Sequence, residues 1–268
     1  RAGSSPTPVG TPATWTDLIK PHAPALACYS DYDCDLPIDT SCDEITDLTT
    51  RFTAACGLAG IHLAALRARL VYPREFNELT THHGNKGAAL SHVSIGLSRE
   101  VMEKIKQGCS PDLRPGLVGR PGLVKSSRLV QAPSHQPLAT SHYFISFDKH
   151  GGRNRYAALL QHFFPEVWIE TLAESGPVSH YAWGSGASRV EVRFRSKGEA
   201  ELPVALASMT AKYHRELAMR AFNDFWCREV PGLRPTAGYP LDAKRFKAQI
   251  AQRQQELDIA DVDLWRER

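Results

Sequence analysis

The chain has 268 residues, of which 42% are hydrophobic and 23% charged, and it carries a formal net charge of +3. That size buries a substantial core in one large domain or two small ones, the balance is ordinary for a soluble globular protein, and the charge alone does not argue for nucleic acid. No apolar run approaches the roughly 20 residues of a membrane span and the start lacks the apolar region of a signal peptide, so no membrane partner is expected and a cytoplasmic location is.

Residues 1–13 (RAGSSPTPVGTPA) are rich in Pro, Gly, Ser and Thr and bury too little apolar surface to order themselves. A flexible tail or linker is therefore expected over 1–20, ahead of one domain over 21–268. Pro24 to Tyr29 predicts a short strand leading into the acidic turn SDYDCDLPID. Asp31, Asp33 and Asp35 alternate there, but the glycine and terminal glutamate of a calcium loop are missing at the required offsets, so a solvated acidic loop is the reading. Ser41-Cys-Asp-Glu44 is a capping box, starting a helix that runs to about Cys56 and stops at Gly57.

Ile61 to Tyr72, apolar with two interleaved arginines, predicts a strand at a sheet's side. Pro73 suits the first turn of a helix through PREFNELTTHH. Gly84-Asn-Lys-Gly87 breaks that helix, and a longer amphipathic one follows to about Lys106. His82 and His83 are adjacent, diverge on a helix and make a poor metal pair. The cysteines (Cys28, Cys34, Cys42, Cys56, Cys109, Cys227) form no CxxC pair or zinc spacing and read as free thiols.

Gly108 to Thr140 carries many Pro and Gly residues and reads as a long basic loop over 108–140. From Pro111 to Leu160, Arg114, Arg120, Lys125, Arg128, Lys149, Arg153 and Arg155 face only Asp112 and Asp148, an excess that attracts a polyanion. Tyr143 to Asp148, rich in aromatic and branched residues, predicts a short buried strand ending on a single carboxylate. Lys149, a Gly151-Gly152 turn, Arg153 and Arg155 follow at once. A carboxylate at a strand's end, beside a glycine-cleared approach and basic groups, suits holding a divalent cation against a phosphate. The alternative is a solvated loop capped by an aspartate.

Tyr156 to Phe163 predicts a helix and Val167 to Leu172 a strand, a β-α-β order that sets two parallel strands side by side with a ligand site at their carboxyl ends. Ser188 to Ser196 alternates and predicts a strand with one wet face. From Pro203 to Trp226 apolar positions recur at helical spacing, and Ala205, Ala207, Ser208 and Ala211 mark a face packed close to a sheet, with Lys212 and Arg215 on a neighbouring face. Gly232 to Gln252 predicts a Gly/Pro turn around Tyr239 and then a polar helix.

Three blocks resemble ribonuclease HII, the type 2 ribonuclease H family. Phe147-Asp148 is similar to its strand-end aspartate block. Lys197-Gly198-Glu199, with Ala205-Leu-Ala-Ser-Met-Thr-Ala-Lys212 and Arg215-Glu216, is similar to its KGD, AAASIxAK and RD run. Gly238-Tyr239-Pro240 is similar to its GY turn, and Pro73-Arg-Glu-Phe-Asn77 is a weaker echo of the helix after its third strand. The resemblance is closest to divergent bacterial ribonuclease HII-like proteins and covers roughly Thr14 to Arg268.

The resemblance implies an α/β fold with a ribonuclease H-like mixed sheet flanked by helices, and four carboxylates that hold two divalent metals for in-line attack on a phosphodiester. Hard oxygen ligands suit Mg2+ or Mn2+. Asp148 matches the third carboxylate and Glu199 the fourth, so both are the implied catalytic and metal-binding residues, with Glu216 the substitute for Glu199. Tyr239 matches the tyrosine that packs on the sugar at an RNA–DNA junction. Lys149, Arg153, Lys197, Lys212 and Arg215 would contact phosphates. The family's DEAGxG strand and DSK block are absent and the chain starts at Arg1, so the expectation is an amino-terminal truncation, with the first strands missing and the chain inactive by itself.

The implied function is a divalent-metal-dependent endonuclease, a monomer acting on RNA–DNA hybrids or on DNA with embedded ribonucleotides. The alternative is a non-catalytic nucleic-acid-binding relative. A small-molecule hydrolase or transferase finds no nucleophile elbow, P-loop or dinucleotide fingerprint here.

Overall fold

The computed structural model describes residues 13–106 and 142–267. In chain order they form β1 (Ala13–Thr14), α1 (Trp15–Leu18), α2 (Ala27–Ser30), β2 (Asp35–Leu36), α3 (Cys42–Leu58), α4 (Pro73–His83) and α5 (Lys86–Lys106). Then follow β3 (Tyr143–Asp148), α6 (Ala157–Phe163), β4 (Glu170–Glu174), β5 (Val178–Trp183), β6 (Val190–Arg195), α7 (Leu202–Glu229), α8 (Pro240–Glu256) and α9 (Asp261–Leu264). The basic loop expected over 108–140 and the first dozen residues of the tail lie outside the described residues. The chain divides into two compact units, Arg1–Ala89 with Leu206–Arg268, and Leu90–Ala205, where one domain was expected.

The second unit is built on a mixed four-stranded sheet ordered β3-β6-β5-β4. β3 and β6 run parallel in a register from Tyr143↔Val190 to Asp148↔Arg195. β5 is antiparallel to both β6 and β4. The expected parallel pairing of neighbouring strands across α6 therefore fails: β3 and β4 lie at opposite edges. The reason is local. A tight turn at Ser175, whose amide and hydroxyl both donate to the Val178 carbonyl, folds β4 onto β5, and β6 then returns beside β3. The strand expected over Val167 to Leu172 starts instead at Glu170, and β5 had not been foreseen.

β6 alternates as expected, with Val190, Val192 and Phe194 buried. Phe194 lies flat between Tyr156 (3.7 Å, 2°) and Phe147 (4.7 Å, 9°), so a stack of rings forms the centre of this core. Leu160 of α6 and Ile95 of α5 close it. The result is an α/β unit whose sheet is flanked by helices.

The first unit packs α7 and α8 around Trp15, Trp226, Phe246 and Ile250. Trp15 and Ile19 are fully buried, and Trp15 Nε1 donates to the Leu217 carbonyl at 3.3 Å, so these two residues of the tail expected over 1–20 belong to the core. An indole with a satisfied N–H outweighs the disorder signalled by the residues before it. Pro24 to Tyr29 is not a strand: the Tyr29 and Ser30 amides both bond the Leu26 carbonyl and coil α2, burying Cys28 and Tyr29. Asp33 caps its own turn, accepting from the Thr16 and Cys34 amides at 3.0 Å each, which fits the acidic-loop reading.

Ser41 accepts from the Glu44 amide at the start of α3, while Glu44 turns to the Thr40 hydroxyl, so half of the capping box forms. Residues 61–72 form no strand, because no described strand lies beside them to complete a ladder, and Ile61, Leu63 and Leu66 stay exposed. α4 opens on Pro73 and ends at Gly84 (φ 79°), as the sequence predicts. The small-residue face expected on α7 is corrected too: Ala207, Ser208 and Ala211 are exposed, and the helix buries Leu217, Ala221, Phe225 and Trp226. Among the described residues no helix is long and apolar enough to cross a membrane.

Candidate functional site

The parallel strands β3 and β6 end side by side, and the chain leaves each through a turn needing left-handed backbone. After β3, Gly151 (φ 58°) and Gly152 (φ 76°) supply it. After β6 the residue is Lys197 (φ 61°), a non-glycine held there by its surroundings. The next residue, Gly198, is buried, and a Cβ on it would meet the Asp148 Cα at 3.1 Å and the Phe147 carbonyl oxygen at 3.2 Å. Only glycine lets the two strand ends approach this closely. The Gly198 amide uses the approach to donate to Asp148 Oδ1 at 3.0 Å.

Asp148, Lys149, Gly152, Asn154, Gly176, Ser196 and Lys197 line an open depression of about 470 Å³. Lys149 Nζ donates to Asn154 Oδ1 and to the Ser175 carbonyl, both at 2.6 Å, which ties the β3 exit to the β4–β5 turn. A third N–H remains on the ammonium. Loss of water around it pulls the Lys149 amine below its ordinary range. Arg153, next to Gly152 of the lining, holds its guanidinium 5.9 Å from the Tyr156 ring centre. Deeper in, His150 is buried, with Nδ1 2.9 Å from Ser91 Oγ, and loss of hydration pushes its imidazole down to about 4.

Five of the residues expected at a site thus share one end of the sheet: Asp148, Lys149, Arg153, Lys197 and, one residue beyond the Gly198 contact, Glu199, which is exposed on a short 3₁₀ turn. The other three, Lys212, Arg215 and Tyr239, lie in the other unit. Arg215 donates to the Ala237 carbonyl (2.5 Å) and pairs with Glu216 (2.7 Å), the residue expected as a substitute for Glu199. Tyr239 stands 70% exposed before α8, in a turn braced by Asp242, which accepts from Thr236 and Ala237.

No family model, curated protein or solved structure matches this chain. The donor set does not fit a magnesium or manganese centre: two lysines, Lys149 and Lys197, line the depression with Asp148, and among the described residues no three His, Cys, Asp or Glu side chains are grouped to hold a metal. Sequence reading missed Glu201, which accepts from the Ser146 hydroxyl and from Arg195 (2.7 Å) and is held below the usual carboxylate range by those two partners. Its signal was its place just past the Gly198–Ala200 3₁₀ turn, which folds it back on the sheet. Asn154, Gly176 and Ser196 were missed because they come from three separate turns.

Proposed function

We propose that the depression at the carboxyl ends of β3 and β6 takes a phosphate group, and that the chain binds nucleic acid there. The observation that carries this reading is the charge of the lining residues: one carboxylate, already accepting from Gly198, against two lysines, Lys149 and Lys197. Small residues leave room for an anion and the Asn154 and Ser196 side chains add polar contacts. The resemblance to ribonuclease HII names the class of nucleic acid: an RNA–DNA hybrid, or DNA with an embedded ribonucleotide. A ribonuclease H-like arrangement of the sheet belongs to the same proposal.

The close pairing of Asp148 with the Gly198-Glu199 turn favours a second reading, endonuclease chemistry, since it brings two matched carboxylate positions to neighbouring strand ends. The described donors do not by themselves make a metal centre.

One experiment tests both. Anisotropy of a labelled duplex holding one ribonucleotide is followed against salt, with all-DNA duplex as control, and cleavage is assayed in parallel with magnesium or manganese. Lys197→Ala, on an exposed side chain, is expected to weaken binding and to reduce the slope of log K against log salt by about 0.9, one phosphate contact. No binding at low salt, or an unchanged slope in Lys197→Ala and Arg153→Ala alike, rejects the phosphate site. Cleavage abolished in Asp148→Asn supports the endonuclease, and binding without cleavage supports a non-catalytic relative.

A further inference from the structure

The two edges of the sheet are built differently. β4 carries Glu170 and Glu174 at its ends, and its pairing slips between Thr171 and Ala173, so charge and a bulge discourage further strand addition. β3 has no bulge, and its one charge, Asp148, sits at its last residue. Its sequence, YFISFD, is apolar on the face of Tyr143, Ile145 and Phe147, and Phe144 adds a ring to the other face, yet only β6 pairs with it among the described residues. Phe144 is left 49% exposed. The Tyr143 and Lys149 amides bond to the carbonyls of Arg189, just before β6, and of Arg195 at its end, so by ladder alternation the N–H and C=O groups of Phe144, Ser146 and Asp148 point away from β6.

We infer that this edge is where a second copy of the chain docks, β3 against β3 in antiparallel order about a twofold axis at Ile145. That register is self-complementary. His142 then faces Asp148 of the other copy, an imidazole against a carboxylate at each end. Tyr143 faces Phe147 and Ile145 faces itself on one side of the sheet, while Phe144 faces Ser146 on the other. The outward-pointing residues are the ones this register pairs through backbone hydrogen bonds, so strand geometry and side chains select the same alignment. Shifting the axis to Ser146 would set Phe144 against Asp148 and His142 against the buried His150, losing both charge pairs. The His142 side chain is 58% exposed, with the Glu191 carboxylate 3.6 Å away on its own sheet, and remains open to a second acceptor.

Sedimentation equilibrium of the full chain over a concentration series tests this, with near-ultraviolet circular dichroism as the check on folding. Wild type is expected to reach twice the monomer mass, and Phe144→Lys to stay at monomer mass. His142→Glu and Asp148→Lys are each expected to raise the dissociation constant about tenfold, since the twofold axis counts every change twice. Mixed in equal amounts, those two variants restore an attractive pair at both ends and dimerise again. Should Phe144→Lys fail to fold, the mixing experiment decides. A wild type at monomer mass throughout, a dimer that survives Phe144→Lys, or a mixture no tighter than the single variants overturns the inference.

Discussion

His150 is a histidine kept uncharged by its place in the fold. It is buried behind the β3 exit, its backbone amide accepted by the Tyr156 hydroxyl (3.1 Å) and its ring beside Ser91, and desolvation moves its pKa from an ordinary 6.5 to about 4. Burial is the largest effect; Asp148 pulls the other way, and the Arg153 cation adds to the downward push. In the unfolded chain the ring takes up its proton as pH falls through 6.5, whereas the folded protein resists until about 4. Protonation therefore favours the unfolded chain: stability is level above 6.5, declines across that window, and loses about 3 kcal/mol in all. Urea unfolding at a series of pH values should show the decline in wild type and a flatter profile in His150→Gln. The same decline in both would mean that another group titrates there.

At the scale of elements, the exit of β6 shows how a turn fixes a site. A methyl on Gly198 meets Asp148 and Phe147 backbone, which cannot swing aside as a side chain would. Gly198→Ala should thus cost about 1–3 kcal/mol by overpacking and move the amide that Asp148 accepts. Chemical denaturation reads the first effect, and salt-dependent binding of the labelled duplex reads the second. A variant as stable as wild type would mean that the strand ends separate easily. Such turns explain what was legible in the sequence. α4, α5, α7 and α8 announce themselves through Pro73, Gly84, apolar spacing and the Gly238-Tyr239-Pro240 turn, all local signals. β3 and β6 were legible from side-chain pattern alone, but their pairing was not, because whether a strand turns back or crosses over depends on the few residues at Ser175, and β5 was missed with it. Residues 61–72 carry a strand's composition without a strand's neighbour, and composition cannot report a neighbour. Asp148 and the Gly198 turn were singled out from motif blocks, while Glu201 escaped because its partners, Ser146 and Arg195, are distant in the chain or on the preceding strand.

For the whole molecule, the decisive fact is that the two hydrophobic clusters share no member. One gathers around Trp15, Trp226 and Phe246, the other around Phe194, Tyr156 and Tyr181. Each has its own fully buried aromatic centre, so each should resist opening on its own account. Phe194→Ala empties the middle of the ring stack and should cost about 3–5 kcal/mol where that stack contributes. Hydrogen exchange followed by mass spectrometry is expected to show protection lost in β3, β5, β6 and α6, with the amides of α8 and the end of α7 near Trp226 keeping theirs. The reciprocal change, Trp226→Ala, should spare the sheet. If either change instead strips protection evenly from both clusters, the chain opens as a single cooperative body, and the phosphate site on the sheet would then depend on packing around Trp226 as much as on the residues that line it.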